Sequence, residues 1–239
     1  MPSINRSPSP ARKARAAGRS SHSSHSSQVA AKAIRSGKRA GKAAAPIAGK
    51  AGGKGAKVQL VSSKLAYRGP LFDVYTDYVR EPEGGDSRRD VIRHSGSVVI
   101  LAVDASRNAK DPLVLLERQY RHAAGQYMWE IPAGRKEPEE RPLPGAKREL
   151  LEETGYRAKR WTKMVRYYAS PGFLGEWMQI YLAEGLSAGQ AQPDDDEYIE
   201  CIQIPLSQAV RWIESGKIMD GKSIIAILLY EHLRRTKKM

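Results

Sequence analysis

Three glutamates near the middle of the chain have a spacing that suits metal and phosphate chemistry. Glu149, Glu152 and Glu153 occupy positions i, i+3 and i+4, which share one face of an α-helix. Three carboxylates in one small volume repel one another unless cations lie between them, and clustered hard oxygen ligands suit Mg²⁺ or Mn²⁺ with a substrate phosphate. Arg148 lies four residues before Glu152 and is expected to hold that carboxylate in place. Taken alone, three such glutamates are more typical of a solvated helix face.

These glutamates belong to a wider pattern that consists of Gly134, Glu140, Arg148-Glu149-Leu150, Glu152-Glu153 and Gly155, separated by five, seven, one and one residues. This pattern resembles the Nudix box of the Nudix hydrolases. Agreement at that many positions is far more specific than a lone glycine-rich triplet. Two departures exist: Tyr156 stands where the family usually has an aliphatic residue, and Pro144-Gly145 replace helix formers. Both concern packing and helix start rather than ligands.

A further resemblance is carried by residues on both sides of the box, at 117–121, 129–134, 170–176 and 212–224. These segments resemble the ADP-ribose pyrophosphatase branch of this family, and the resemblance extends from about Tyr67 to Leu233. It implies a Nudix-type α/β/α sandwich with a mixed β-sheet. It also implies Mg²⁺-dependent hydrolysis of the diphosphate bond of a nucleoside diphosphate derivative, with ADP-ribose giving AMP and ribose 5-phosphate.

The resemblance assigns metal and catalytic roles to residues of and around the box. Glu149 and Glu153 are expected as direct ligands of two or three Mg²⁺ ions, Glu152 as a ligand or relay, and the Ala133 carbonyl as a further oxygen donor. Such ions would neutralise charge on the diphosphate and lower the pKa of a bound water. Glu176 would deprotonate or orient the attacking water. A glutamate in a surface loop without function is the alternative for Glu176.

Substrate-binding roles follow from the same resemblance. Arg121 is expected to clamp phosphate through its fork of donors, and Glu130 to contact ribose hydroxyls or a bound cation. Arg93 is a weaker phosphate candidate. The expected set is completed by Gly134 at the entry to the box, and by Phe72 and Trp129, either of which could stack the base at a dimer interface or serve as a core anchor.

The periodicity of the remaining sequence predicts a layered α/β domain that positions these residues. Strands are expected at residues 71–79, 88–93, 97–103, 113–117, 127–132, 163–169, 177–183 and 200–204. The runs 97–103 and 113–117 are apolar throughout or nearly so, which is typical of central strands covered on both faces. Helices are expected at 143–154, 206–215 and 222–233, the first ending at Gly155. Strands and helices mixed in this way favour a layered arrangement.

The charge of the chain is concentrated at its start. The formal net charge is +14, yet residues 1–57 hold 13 Lys and Arg and no acids, whereas residues 58–239 hold 27 bases and 26 acids. We therefore divide the chain into a disordered basic tail (1–57) and a Nudix domain (58–239), with a strand and hairpin region at 58–93 and a catalytic core at 94–239. The tail composition fits contact with nucleic acid or another polyanion, an organellar transit peptide, or no partner at all.

Composition also narrows the class of protein. A single cysteine, Cys201, excludes an internal disulfide framework and any multi-cysteine metal site. No apolar run approaches the roughly 18 residues of a membrane span, so a soluble protein without membrane contact is expected, cytoplasmic unless the tail is a transit peptide. The resemblance implies a homodimer.

Two other functions are consistent with the sequence. The first is hydrolysis of another nucleotide sugar such as GDP-mannose, because the metal-binding helix contacts only the diphosphate. The second is a non-catalytic nucleotide sensor, tethered to nucleic acid by the basic tail.

Overall fold

Three antiparallel strands form a small amino-terminal sheet. The computed structural model describes residues 57–70, 72–137, 139–191 and 198–238. β1 (Gln59–Arg68), β2 (Asp73–Arg80) and β3 (Asp86–Arg93) pair in that order. Gly84 and Gly85, between β2 and β3, have φ values of 89° and 97°, a conformation that glycine adopts without steric cost.

The sequence predicts the bounds of the β2–β3 hairpin, whereas β1 lies in the predicted strand and hairpin region 58–93 without predicted bounds of its own. Along β1 almost every residue is exposed, and the pairing with β2 is irregular at two places. A strand of this kind lacks the regular alternation of apolar and polar residues on which a prediction depends. The first residue of the predicted strand, Leu71, lies outside the described residues.

A seven-stranded mixed sheet forms the centre of the domain. Its strands are β4 (Ser97–Asp104), β5 (Leu113–Arg121), β6 (Gln126–Glu130), β7 (Ala133–Arg135), β8 (Tyr156–Tyr168), β9 (Trp177–Ala188) and β10 (Glu200–Pro205). The order is β10-β5-β4-β9-β8, with β6 beside β5 and β7 beside β4. β4 and β9 run parallel, whereas the other neighbours are antiparallel. The mixed sheet of the predicted fold is confirmed.

Helices cover both faces of this central sheet. α1 (Pro142–Thr154) packs on one face, and α2 (Leu206–Glu214) and α3 (Gly221–Arg235) pack on the other. Along β4, Val98 and Ile100 belong to the core beneath α1, while Val99 and Leu101 belong to the core beneath α2 and α3. This two-sided burial explains the apolar run at residues 97–103 and confirms the layered α/β/α class.

Local sequence signals set the ends of α1. Pro142 lies in the first turn, where a missing N–H leaves no hydrogen bond unmade. Gly155 ends the helix with φ 72°, and its N–H donates to the Leu151 carbonyl at 2.8 Å. Ala146 and Leu150 are fully buried against the sheet, which fixes the rotation of the helix and hence the direction of its glutamates.

The predictions for residues 1–56 lie outside the described residues. Disorder of the tail and its contact with a polyanion therefore stay predictions. Within the described ranges, no helix combines the length and apolar character needed to cross a membrane.

Candidate active site

A cleft of about 760 Å³ brings α1, β7, the segment before β9 and the start of α3 together. Among its lining side chains, six carboxylates face four permanent cations. The carboxylates are Glu137, Glu149, Glu152, Glu153, Glu176 and Asp220, and the cations are Arg121, Arg135, Arg148 and Lys222. Acidic side chains therefore outnumber the permanently charged basic ones in this lining by two.

Two glutamates of α1 approach the peptide segment that begins β7. A Cβ added to Gly134 would lie 2.0 Å from Cδ of Glu149, so only glycine lets the carboxylate approach this closely. The N–H of Ala133 donates to Oε2 of Glu153 at 3.1 Å. The two predicted direct ligands therefore meet at the segment that carries the predicted carbonyl donor, Ala133.

Arg148 connects the glutamates of this helix face. It lies 2.8 Å from Glu152, 2.9 Å from Glu149 and 3.1 Å from Glu140. Its hydrogen bonds to Glu140 are the main cause that raises the pKa of Arg148 and lowers the pKa of Glu140. The sequence predicts the contact with Glu152, whereas the bond to Glu140 requires the chain before α1 to fold back over the helix.

Glu176 enters the same cleft from the segment before β9. The hydroxyl of Ser97 donates to Oε1 of Glu176 at 2.5 Å, and Nδ1 of His94 lies 3.8 Å from the same oxygen. The loop before Glu176 is attached to β3, because Ile92 donates to the Phe173 carbonyl at 2.7 Å and accepts from the N–H of Gly175 at 2.9 Å. The amino-terminal sheet thus supports the loop that carries the predicted base.

A cluster of charges lies at the wall formed by β5, β6 and α3. Nε and Nη2 of Arg121 donate to the two oxygens of Glu130 at 2.9 and 2.7 Å. Lys222 also contacts Glu130 and lies 3.0 Å from Asp220. Burial opposes the ionisation of Glu130, but hydrogen bonds from Arg121 and the charge of Lys222 keep its pKa below the ordinary value. Glu130 therefore orients the Arg121 guanidinium, which still lines the cleft.

The NUDIX domain family model matches residues 93–222. This segment is more than half of the chain and contains α1, Glu176, Arg121 and their partners. The chain belongs to the Nudix family. As a Nudix hydrolase, it is an enzyme of the diphosphohydrolase type.

Individual relatives agree with this family. An ADP-ribose pyrophosphatase of Bacillus subtilis is 35% identical over 176 residues, which cover 73% of this chain and 92% of that protein. A GDP-mannose pyrophosphatase of Escherichia coli is 34% identical over 151 residues, covering 58% of this chain and 78% of that protein. A crystal structure of an ADP compounds hydrolase has 21% sequence identity and a TM-score of 0.65, covering 77% of this chain and 97% of that one. The predicted Nudix fold and resemblance to the ADP-ribose pyrophosphatases are confirmed.

Three residues with predicted substrate roles have different surroundings in this Nudix hydrolase. Phe72 lines the cleft and is 40% exposed. Arg93 instead donates to Asp77 at 3.0 Å on the amino-terminal sheet and does not line the cleft. Trp129 packs against Trp212, with ring centroids 5.6 Å apart. The geometry therefore brings Phe72 to the cleft but gives no support to phosphate binding by Arg93 or base stacking by Trp129.

Several lining residues carry no sequence signal strong enough to predict them. Lys222 lies near the start of an amphipathic helix, where a lysine is expected in solvent, yet it is 7% exposed. Asp220 accepts from the N–H of Ser223 as the helix N-cap, and the Asp-x-x-Ser spacing could have indicated that cap but not its place in the cleft. Ser97 begins the apolar strand β4, and nothing in that segment of the sequence indicates a functional role for it.

A buried acid lies beside this charged wall. Glu117 is fully buried, and Gln119 donates to its Oε1 at 2.9 Å, while no hydrogen bond to its Oε2 occurs within the described residues. Burial raises the pKa of Glu117 to about 7, although the charge of Lys222 opposes this. Glu117, with its raised pKa, therefore differs from Glu130 on the neighbouring strand, whose lowered pKa keeps it ionised.

Proposed function

We propose that the protein hydrolyses the diphosphate bond of ADP-ribose, giving AMP and ribose 5-phosphate. The observation that carries the proposal is the convergence of Glu149 and Glu153 on the Ala133–Gly134 segment, in the same cleft as Glu176. The similarity to an ADP-ribose pyrophosphatase supports this substrate. A net negative cleft also fits an enzyme that binds its anionic substrate together with divalent cations.

Mg²⁺, or Mn²⁺ in its place, is the proposed cofactor. In the described residues, no group of three or more Asp, Glu, His or Cys side chains has a ready metal-binding arrangement, and Arg148 forms ion pairs with Glu149 and Glu152. The chemistry of the donor set nevertheless fits, because carboxylates beside a backbone carbonyl are hard oxygen ligands. Glu149, Glu153 and the Ala133 carbonyl would hold the ion, with Glu152 as a further ligand or relay. When bound, the ion would neutralise diphosphate charge and activate water.

The side chains of the cleft divide the remaining work. Glu176 would orient the attacking water and accept its proton. Arg121, oriented by Glu130, would bind a phosphate oxygen through the guanidinium N–H groups that do not donate to Glu130. Arg148 would offset the electrostatic repulsion between the Glu149 and Glu152 carboxylates before the ion and substrate bind.

GDP-mannose is the second candidate substrate. It is favoured by the similarity to a GDP-mannose pyrophosphatase, and the α1 glutamates would act on its diphosphate in the same way. A non-catalytic sensor has less support, because the carboxylates of the box are intact and lie in an open cleft. The cytoplasmic location and the polyanion contact of the tail remain proposals from composition.

We further propose a homodimer in which the amino-terminal sheet meets the partner subunit. Val58, just before β1, and Leu60 and Val61, within it, are between 51% and 57% exposed, which favours their burial against another surface. Phe72 lines the cleft and would reach the base from there. Sedimentation velocity of the full chain would test the dimer.

The experiment that tests the function is product detection after incubation with Mg²⁺ and ADP-ribose, GDP-mannose, NADH or oxidised dGTP. We expect AMP from ADP-ribose, and a loss of nearly all turnover in Glu153→Gln with an unchanged melting temperature. Glu214→Gln is the matched control, since Glu214 is exposed on α2 and outside the cleft. Turnover of Glu153→Gln at the rate of this control would reject the mechanism, and hydrolysis of GDP-mannose alone would reject the substrate.

A further inference from the structure

Ser97 occupies the point where three strands of the central sheet meet. It is the first residue of β4 and pairs with Arg135 of β7 on one side and Met178 of β9 on the other. It is 6% exposed. The pairing with Met178 places its side chain beside Glu176, two residues earlier in the chain.

The hydroxyl of Ser97 makes the one hydrogen bond to the Glu176 carboxylate that occurs in the described residues, at 2.5 Å. His94 is the other polar neighbour, but its Nδ1 accepts the N–H of Gly96 at 3.0 Å. That nitrogen is therefore occupied as an acceptor and does not donate to Glu176. The orientation of the carboxylate thus depends on Ser97.

Backbone contacts fix the chain around this pair. Ile92 bonds to both Phe173 and Gly175 of the loop. Gly96 has φ 94°, and a Cβ added to it would lie 2.1 Å from Cε2 of Trp177. These contacts hold the backbone on either side of Glu176 at the β3–β4 corner. The remaining freedom is in the side-chain torsions of Glu176, which the hydrogen bond from Ser97 restricts.

We propose that Ser97 is a positioning residue that orients Glu176 for the attack of water. With Oε1 engaged by the Ser97 hydroxyl, Oε2 is the oxygen that accepts a hydrogen bond from the water. The inference rests on the proposed function, in which Glu176 is the base. Because this hydrogen bond to the carboxylate already exists before substrate binds, the side chain of Glu176 loses no further conformational entropy when the substrate arrives.

The test is a double-mutant cycle on the full chain with Mg²⁺ and ADP-ribose. Ser97→Ala is expected to lower kcat by about tenfold to a hundredfold, the range for losing a hydrogen bond to a charged group, with little change in KM. In the Glu176→Gln background, measured in single turnovers, the same substitution should change the rate by less than about twofold. Ser95→Ala is the matched control, because the Ser95 hydroxyl donates to the Lys136 carbonyl rather than to Glu176.

The outcomes separate this inference from the proposed function. Additive losses in the double variant, or a raised KM with unchanged kcat, would overturn the positioning role and assign the Ser97 hydroxyl to substrate contact. Unchanged kcat in Glu176→Gln would instead overturn the choice of Glu176 as base. Melting temperatures of all variants show whether a loss of rate reflects a loss of fold.

Discussion

Gly134→Ala is the substitution whose effect on the site is most directly set by geometry. The added Cβ would lie 2.0 Å from Cδ of Glu149 and 2.2 Å from both carboxylate oxygens. Ordinary carbon contacts are about 3.5 Å, so the carboxylate has to retreat by about 1.5 Å. Because the φ of Gly134 is outside the left-handed region, the backbone itself accepts alanine.

The expected result is a large loss of activity in a protein that still folds. Glu149 can move away through its own side-chain torsions, so the free energy of unfolding should change by less than about 1 kcal/mol. Misplacement of a catalytic group by about 1 Å can lower the rate about a hundredfold, and we expect a loss of at least that size in kcat/KM. The measurements are steady-state turnover of ADP-ribose, Mg²⁺ titration and urea unfolding.

Gly221→Ala, at the first residue of α3, provides the control. Gly221 has no atom within 4 Å of an added Cβ, so we expect wild-type turnover and Mg²⁺ dependence. If Gly134→Ala also retains both, the approach of Glu149 to Gly134 has no role in metal binding and the reasoning is refuted. A parallel fall in the free energy of unfolding would instead show a structural role.

Three further predictions concern the buried charges and the corner beneath Glu176. Lys222→Met leaves Glu130, which is 2% exposed, without one of its cations and should lower the free energy of unfolding by about 3 kcal/mol in urea. The folded pKa of Glu117, about 7, lies above its ordinary value of 4.5, so the folded state keeps a proton that the unfolded state has lost. The stabilisation from this group is present below pH 4.5 and is lost as the pH rises through 7. The free energy of unfolding should therefore fall by roughly 3 kcal/mol over that window, and Glu117→Gln should remove this fall. Equal slopes of the free energy of unfolding against pH in both proteins would contradict this. Gly96→Ala should push the indole of Trp177 away and destabilise the fold by about 1–3 kcal/mol, with a matching fall in melting temperature.

The sequence predicts α1 because its signals are local. The prolines of the first turn, Gly155 and the apolar positions that include Ala146 and Leu150 all lie within or next to the helix. The same holds for β4, whose unbroken apolar run is buried on both faces. Elements of this kind keep their predicted form because burial and local preference agree.

Residues that depend on distant partners are the ones that the sequence leaves out. The buried Lys222 contacts Glu130, 92 residues earlier in the chain, and Ser97 contacts Glu176, 79 residues later. Trp129 is of the right type to stack on a base, and in the structure it is partly buried and packs on Trp212 beside the core. Residue type and spacing predict what a side chain can do, whereas tertiary pairing decides which partner it meets.

The proposed catalytic groups of this Nudix hydrolase are therefore positioned by two separate parts of the fold. The glutamates of α1 depend on helix caps, Arg148 and the glycine at position 134, all of which belong to the box. Glu176 depends on β3 and on the first residue of β4, which lie outside the box and more than 75 residues before Glu176. Under the proposed mechanism, an intact box would supply the metal ligands but would not by itself fix the rate of water attack, because the hydrogen bond to Glu176 comes from the β3–β4 corner.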